Sequence, residues 1–157
     1  MTSDTNTPET SVPNTNFSNT DVFGMKPDTY CMLLHLSLLL NFLSGGFPFL
    51  GIIVPIVLWM IGKDKSPQVD QHGKIVLNWL ISLFIYAAIG MAIAVGSTIF
   101  TIAIAISTGF PMPIGFILFG TIVLLVWILM AVFPIIGAVK ANEGTAWKYP
   151  LSIPFFK

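Results

Sequence analysis

Two long stretches of this chain carry no Asp, Glu or Lys. They cover residues 29–62 and 75–139, which are 34 and 65 residues long. A hydrocarbon core about 30 Å thick needs only about 20 residues of α-helix, so each stretch is long enough to cross a membrane. The pattern therefore predicts an all-α integral membrane protein with about four hydrophobic helices. These helices are placed at about 29–43, 47–62, 66–107 and 114–142.

The first uncharged stretch contains a cluster of helix breakers. Gly45, Gly46 and Pro48 follow one another closely, and Pro55 lies further along. Because glycine destabilises a helix and proline removes a backbone donor, two interpretations remain open. In the favoured one, the first two helices form a short broken hairpin that turns at the glycines. In the alternative, the stretch is one kinked span and the protein has three spans.

The polar segments divide the chain into a tail and a membrane domain. Residues 1–25 are rich in Thr, Asn, Ser and Pro, and they contain too little apolar area to offset the entropy of ordering. We therefore expect a disordered tail over 1–25 and a polytopic helical domain over 26–157. The prolines within 145–157 favour an extended tail that lies along the membrane surface, where Trp79 and Tyr149 would join an interfacial aromatic belt.

The lysines predict how the domain is oriented. One group lies in the 63–74 loop and another follows the last helix, whereas the connection at 107–113 has no lysine. Two spans separate the lysine groups, so both must lie on one side, which the positive-inside rule assigns to the cytoplasm. The expected location is the bacterial inner (plasma) membrane. The N-terminus is cytoplasmic if the first two helices form a hairpin, and outside if they form one span.

Composition excludes several classes of function. Only 9% of residues are charged, the formal net charge is zero and there is no Arg, so the chain lacks the basic surface of a nucleic-acid-binding protein. A single cysteine excludes an intrachain disulfide framework. No phosphate-binding loop or hydrolase motif is present, and no nucleophile–base pair is evident. The sequence predicts no enzyme, no catalytic residue and no cofactor.

A few polar residues in the apolar segments are candidates for chemistry. Cys31 and His35 are four residues apart on one helix face, and His72 is the other histidine, so a metal or haem site is conceivable. The favoured interpretation is structural: His35, Asn41 and Asn78 form hydrogen bonds between helices.

Several ordered motifs resemble those of one family. In order they are His35–Ser37, Gly51–Trp59, Lys63–Lys74, Leu77–Trp79, Val139–Gly144 and Tyr149–Leu151. Over about residues 26–155 the chain resembles a small, uncharacterised bacterial membrane domain, itself similar to the channel-type subunit of the chloroplast inner-envelope protein import translocon. The resemblance implies a four-helix membrane domain with a role in protein transport or membrane-complex assembly.

We therefore expect a non-enzymatic multi-pass membrane protein that acts as a translocon-like or scaffold component. Its partners would be the lipid bilayer and either other membrane proteins or further copies of itself, without nucleic acid. A small channel or transporter is the alternative, and a haem- or metal-binding membrane protein is a weaker one. The candidate partner-contact or structural residues are Lys63, Lys65, Asp70, His72, Lys74, Asn78, Lys140, Asn142 and Tyr149.

Overall fold

A computed structural model of the protein describes residues 22–43, 49–109 and 114–157. Within these ranges the chain is helical and forms no β-strand, which confirms the all-α class. A 3₁₀ turn at Ser37–Leu39 continues the first helix into the second. The helices are α1 (Pro27–Leu36), α2 (Leu40–Leu43), α3 (Leu50–Gly62), α4 (Pro67–Thr108) and α5 (Ile114–Asn142).

Within the part of the chain that the structure describes, two helices, α4 and α5, are long and apolar enough to cross a membrane. The prediction of about four hydrophobic helices is therefore corrected to fewer spans. Helix α3 has 13 residues, which corresponds to about 20 Å and falls short of a hydrocarbon core of about 30 Å. Its Pro55 is buried and lies inside the helix. Gly45, Gly46 and Pro48 lie outside the described residues, so the helix break there stays a prediction.

The packed core lies at one end of the long helices, in a region that we call the head. The head consists of residues 22–39, residues 63–83, which include the start of α4, residues 133–142 of α5 and the C-terminal segment 143–157. Its buried side chains come from all of these parts and form one cluster. The largest that are fully buried include Trp79, Tyr149, Leu34, His35, His72, Val69 and Val76.

The other halves of α4 and α5, residues 84–108 and 115–132, form a two-helix stalk. Gly90 faces Ile122, and Ala94 is buried, so one small-residue face of α4 packs against α5. The remaining surface is apolar and exposed, with Phe84, Phe100 and many aliphatic side chains on the outside. Such an extended apolar surface is stable in lipid, whereas in water it would drive aggregation.

The ends of the long helices set the path of the chain. Helix α4 begins at Pro67, with Ser66 as its N-cap residue but without a cap hydrogen bond from the serine side chain. Helix α5 ends in a Schellman motif, in which Gly144 has φ 74° and the Thr145 amide donates to the Lys140 carbonyl at 2.9 Å. This motif turns the C-terminal segment back over the head.

The described chain begins with a tight turn before α1. The amide of Val22 donates to the carbonyl of Met25 at 2.9 Å, and the reverse bond is 3.2 Å long. Val22 is fully buried in the head, although it belongs to the segment in which the sequence predicted a disordered tail. Residues 1–21 of that predicted tail lie outside the described residues.

Candidate functional site

A chain of three hydrogen-bonded rings runs through the centre of the head. His35 Nδ1 lies 2.6 Å from the Tyr149 hydroxyl, and His35 Nε2 lies 2.9 Å from His72 Nδ1. Both histidines are fully buried, and Tyr149 is 2% exposed. The chain therefore links α1, α4 and the C-terminal segment through polar groups that have no access to solvent.

A glycine of α5 makes room for this chain. A Cβ atom added at Gly137 would lie 2.8 Å from His35 Nδ1 and 3.0 Å from the Tyr149 hydroxyl. The first distance is shorter than real Cβ atoms show and the second is tighter than most, so a side chain at this position would displace the two rings. Gly137 thus lets α5 pack directly onto the hydrogen bond between His35 and Tyr149.

Burial keeps the ring chain uncharged. It lowers the pKa of His35 well below the ordinary value, and the adjacent His72 lowers it further. It also raises the pKa of Tyr149 far above the usual range, so the phenol keeps its proton. Neutral rings can then form both hydrogen bonds, with each imidazole acting as donor at one nitrogen and acceptor at the other.

Two arrangements of protons satisfy the distances, and each leaves His72 Nε2 without a partner among the described residues. If Tyr149 donates to His35 and His35 donates to His72, the N–H at His72 Nε2 has no acceptor. In the reverse order, His72 Nε2 is an unused acceptor, and among the described residues no acceptor is seen for the Tyr149 hydroxyl proton either. The chain is thus a polarisable relay that is open at His72 in both arrangements.

Aromatic rings surround Tyr149. Its ring centroid lies 5.2 Å from that of Trp79, 5.4 Å from that of Trp147 and 6.1 Å from that of Phe133. The prediction that Trp79 and Tyr149 belong to an interfacial aromatic belt is therefore wrong. The turn after α5 returns Tyr149 to the core, where the rings add packing energy to the hydrogen bond.

The C-terminal segment is fastened to α4 by Asn78. The side-chain oxygen of Asn78 accepts the amides of Phe155 at 3.0 Å and Phe156 at 2.8 Å. Its side-chain nitrogen donates to the Phe156 carbonyl at 2.9 Å. One buried amide thus satisfies three backbone groups of an extended strand-like segment.

Two further side chains continue this fastening along the same face of α4. The amide of Ile153 donates to Ser82 at 2.8 Å, and the Tyr86 hydroxyl donates to the Leu151 carbonyl at 2.8 Å. With Asn78 they are spaced four residues apart, so they form one row on the helix. Within the tail expected over 145–157, α4 side chains thus bond five backbone groups between Leu151 and Phe156.

A second polar cluster lies at the start of α4. Asp70 forms an ion pair with Lys74 at 2.8 Å and accepts a hydrogen bond from Trp59 Nε1 at 3.1 Å. The Trp59 ring lies directly on Gly73, where an added Cβ would overlap it. The Lys63 ammonium lies 5.2 Å from the centroid of the same ring. This cluster joins α3 to α4 through a partly exposed surface.

The other predicted site residues lie apart from the ring chain. Lys65 lies over the Phe23 ring at 3.3 Å, Lys140 pairs with Glu143 at 2.7 Å, and Asn142 is exposed. The structure brings His72, Tyr149 and His35 together in the core. Asn78 lies on the same helix as His72 and bonds the C-terminal segment, not the rings. A role for the lysines and Asn142 in partner contact stays a prediction.

The described residues contain no cluster of three or more His, Cys, Asp or Glu side chains that could hold a metal ion. Both ring nitrogens of His35 are engaged in hydrogen bonds. Burial raises the pKa of Cys31 to about 12, so its thiol stays protonated and is a poor metal ligand. The predicted Cys31–His35 face is therefore part of the core packing, which disfavours a metal or haem there.

Sequence reasoning missed the relation between His35 and Tyr149, which are separated by 114 residues. It also missed Gly73, on which the Trp59 ring lies, and Gly137, against which the ring chain packs. A glycine within an apolar helix carries no signal of its own, because its role depends on which side chain crosses it in the fold. The available signal is the histidine itself, because a histidine that is buried in an apolar segment needs hydrogen-bond partners.

Comparison with known proteins identifies the family. The chain belongs to the MamF/MmsF family, described as the magnetosome magnetite crystal formation protein family, whose model matches residues 26–156. No curated protein and no solved structure matches the chain. The expected membership of a small bacterial membrane family is thus confirmed, whereas the likeness to the chloroplast translocon is not.

Proposed function

We propose that this member of the magnetosome magnetite crystal formation family is a non-enzymatic component of a mineral-forming membrane. Its stalk would anchor it in the bilayer, and its head would organise other membrane proteins at one face. The family description names crystal formation and no enzymatic reaction. A structural component of the membrane that encloses a growing crystal fits this description.

The observation that carries the proposal is the contrast between the two ends of the molecule. The head is closed by a fully buried hydrogen-bonded chain from His72 through His35 to Tyr149, which fixes three parts of the chain against one another. The stalk has little buried surface and exposes its apolar side chains to lipid. A rigid head on an anchoring stalk suits a scaffold, because binding surfaces on the head keep a fixed geometry.

The surface of the head suggests where partners bind. Lys63, Lys65 and Lys140 lie at the end of the molecule that we assign to the cytoplasm, with both lysine groups on one side of the membrane. Lys63 and Lys65 rest on aromatic rings, which holds their ammonium groups in defined positions. We assign the 63–74 segment, which comprises the turn before α4 and its first residues, as the partner-contacting surface of the scaffold.

The test is complementation in a magnetosome-forming bacterium that lacks its own member of the family. Wild-type protein should restore the number and dimensions of crystals seen by electron microscopy. Reversing the charge at Lys63 and Lys65 should abolish restoration while the protein stays at normal levels in the membrane. The matched control is Lys26→Glu, which reverses one exposed charge outside the 63–74 segment.

In-cell crosslinking with mass spectrometry then identifies the partners. Lysine crosslinks from Lys63 or Lys65 to another magnetosome membrane protein would support a scaffold. Unchanged crystals in both the null strain and the charge-reversed strain would refute the proposal. A partner from the secretion machinery would instead favour the translocon-like role, which the family match does not support.

A small channel or transporter has less support. The hydroxyls of Ser97, Thr98 and Thr101 donate to carbonyls of their own helix, and Gly90 packs directly against Ile122. The described part of the stalk thus offers no row of free polar groups along which an ion or solute would move. Flux of ions or small solutes into liposomes that contain the purified protein would overturn this view.

A further inference from the structure

A cavity lies between the start of α4 and the C-terminal segment, on the outside of the head. Its volume is about 310 Å³, which falls at the lower end of the range of ligand pockets. Three lysines, Lys74, Lys148 and Lys157, belong to its lining. Ile75 and Phe156 also line it, so the cavity presents both cationic and apolar groups.

The position of the cavity along α4 places it at the level of lipid headgroups. Lys74 is the last charged residue before the uncharged stretch, and Ile75 is the first residue of that stretch. The cavity therefore straddles the boundary at which α4 passes from the aqueous phase into hydrocarbon. A ligand there can meet water and acyl chains at the same time.

The lysines give the cavity an excess of positive charge. Lys74 is partly neutralised by its ion pair with Asp70 at 2.8 Å. Lys148 is exposed and takes part in neither of the two ion pairs formed by the described residues. Phosphate oxygens are natural partners for such ammonium groups.

We propose that this cavity binds the phosphate of an anionic phospholipid headgroup. The ammonium groups of Lys148 and Lys74 would contact the phosphate, and the lipid glycerol and acyl chains would lie against Ile75 and Phe156. Phe156 is 43% exposed, so its ring is available for such contact. Free phosphate shares the anionic chemistry but has no apolar part to place against Ile75 and Phe156. The inference does not depend on the proposed function.

The test is native mass spectrometry of the purified full-length protein in detergent, titrated with phosphatidylglycerol or phosphatidylcholine. Wild-type protein should retain phosphatidylglycerol preferentially. Because a lysine near an anionic surface contributes about 1 kcal/mol, Lys148→Gln should weaken phosphatidylglycerol binding about fivefold and leave phosphatidylcholine binding unchanged. Lys148→Arg, which keeps the charge, should retain binding.

The matched control is Lys26→Gln, which removes an exposed lysine away from the cavity. Equal retention of both lipids by wild-type protein would overturn the inference, and so would an equal loss with Lys26→Gln and Lys148→Gln. A third arm adds inorganic phosphate at the lipid concentration. Full displacement of phosphatidylglycerol by phosphate would assign the cavity to free phosphate and overturn the lipid source.

Discussion

The row of polar side chains on α4 predicts that a single substitution releases the end of the C-terminal segment. Asn78→Ala removes three hydrogen bonds to the backbone of Phe155 and Phe156. At a net contribution of about 1 kcal/mol each, docking of this part of the segment should weaken by about 3 kcal/mol. That loss corresponds to a roughly 100-fold increase in the population of the released state.

Hydrogen–deuterium exchange of the protein in detergent measures this release directly. The amides of Phe155 and Phe156 should exchange about 100-fold faster in Asn78→Ala than in wild-type protein. The amide of Ile153 should change much less, because it is held by Ser82. Ser97→Ala is the matched control, since the Ser97 hydroxyl bonds only the Ala94 carbonyl of its own helix.

Two results would refute this reasoning about the segment. If the amides of Phe155 and Phe156 exchange freely in wild-type protein, the segment is not docked on α4. If Asn78→Ala accelerates their exchange less than fivefold, the segment is held by apolar contacts and not by hydrogen bonds. In the second case, Ser82→Ala should also have no effect on the amide of Ile153.

Three further predictions concern the buried ring chain. Tyr149→Phe should destabilise the protein by about 1–3 kcal/mol in denaturation followed by tryptophan fluorescence, because it leaves His35 Nδ1 buried without its partner. Gly137→Ala should lower the free energy of unfolding by a similar amount, about 1–3 kcal/mol, because the added methyl group forces the rings apart. The control is Gly120→Ala in the same helix, where an added Cβ meets nothing, and its effect should stay within about 0.5 kcal/mol. Because burial lowers the folded-state pKa of His35, the unfolded chain binds a proton that the folded protein does not. The free energy of unfolding should therefore be highest above about pH 6.5 and should fall below that pH by up to about 1.4 kcal/mol per pH unit. Replacing His35 with Gln should flatten this slope, and an unchanged slope would place the titrating group elsewhere, at His72 first.

The class of the fold could be predicted from the sequence because it depends on long-range composition. An uncharged stretch from Ile75 to Val139 can be satisfied only by helices in lipid, whatever the neighbouring side chains are. The start of α4 at Pro67 and the turn at Gly144 also follow from local backbone chemistry. Each of these features is decided within a few residues or by composition alone.

The number of spans is harder to predict, because apolar composition alone does not separate a short apolar helix from a crossing. Helix α3 is as apolar as a span, yet at 13 residues it is too short for one. Its place in the fold is set by contacts that no local pattern contains. The Trp59 ring lies on Gly73, and Tyr30 donates to the carbonyl of Leu58 at 2.7 Å.

The ring chain shows why the candidate site resisted sequence reasoning. A buried histidine is tolerated only where its nitrogens find partners, and the partners of His35 lie 37 and 114 residues away. His72 lies in a polar turn next to Lys74, and Tyr149 lies in a proline-rich tail, so both have the local signature of surface residues. What converts them to core is the C-terminal turn after α5, which returns Tyr149 to the head, together with Gly137, which leaves space for the hydroxyl. The cost of burying three polar rings is offset only if all of them stay neutral and aligned. The head is therefore a single cooperative unit, and the docking of the C-terminal segment is tied to the stability of the whole domain.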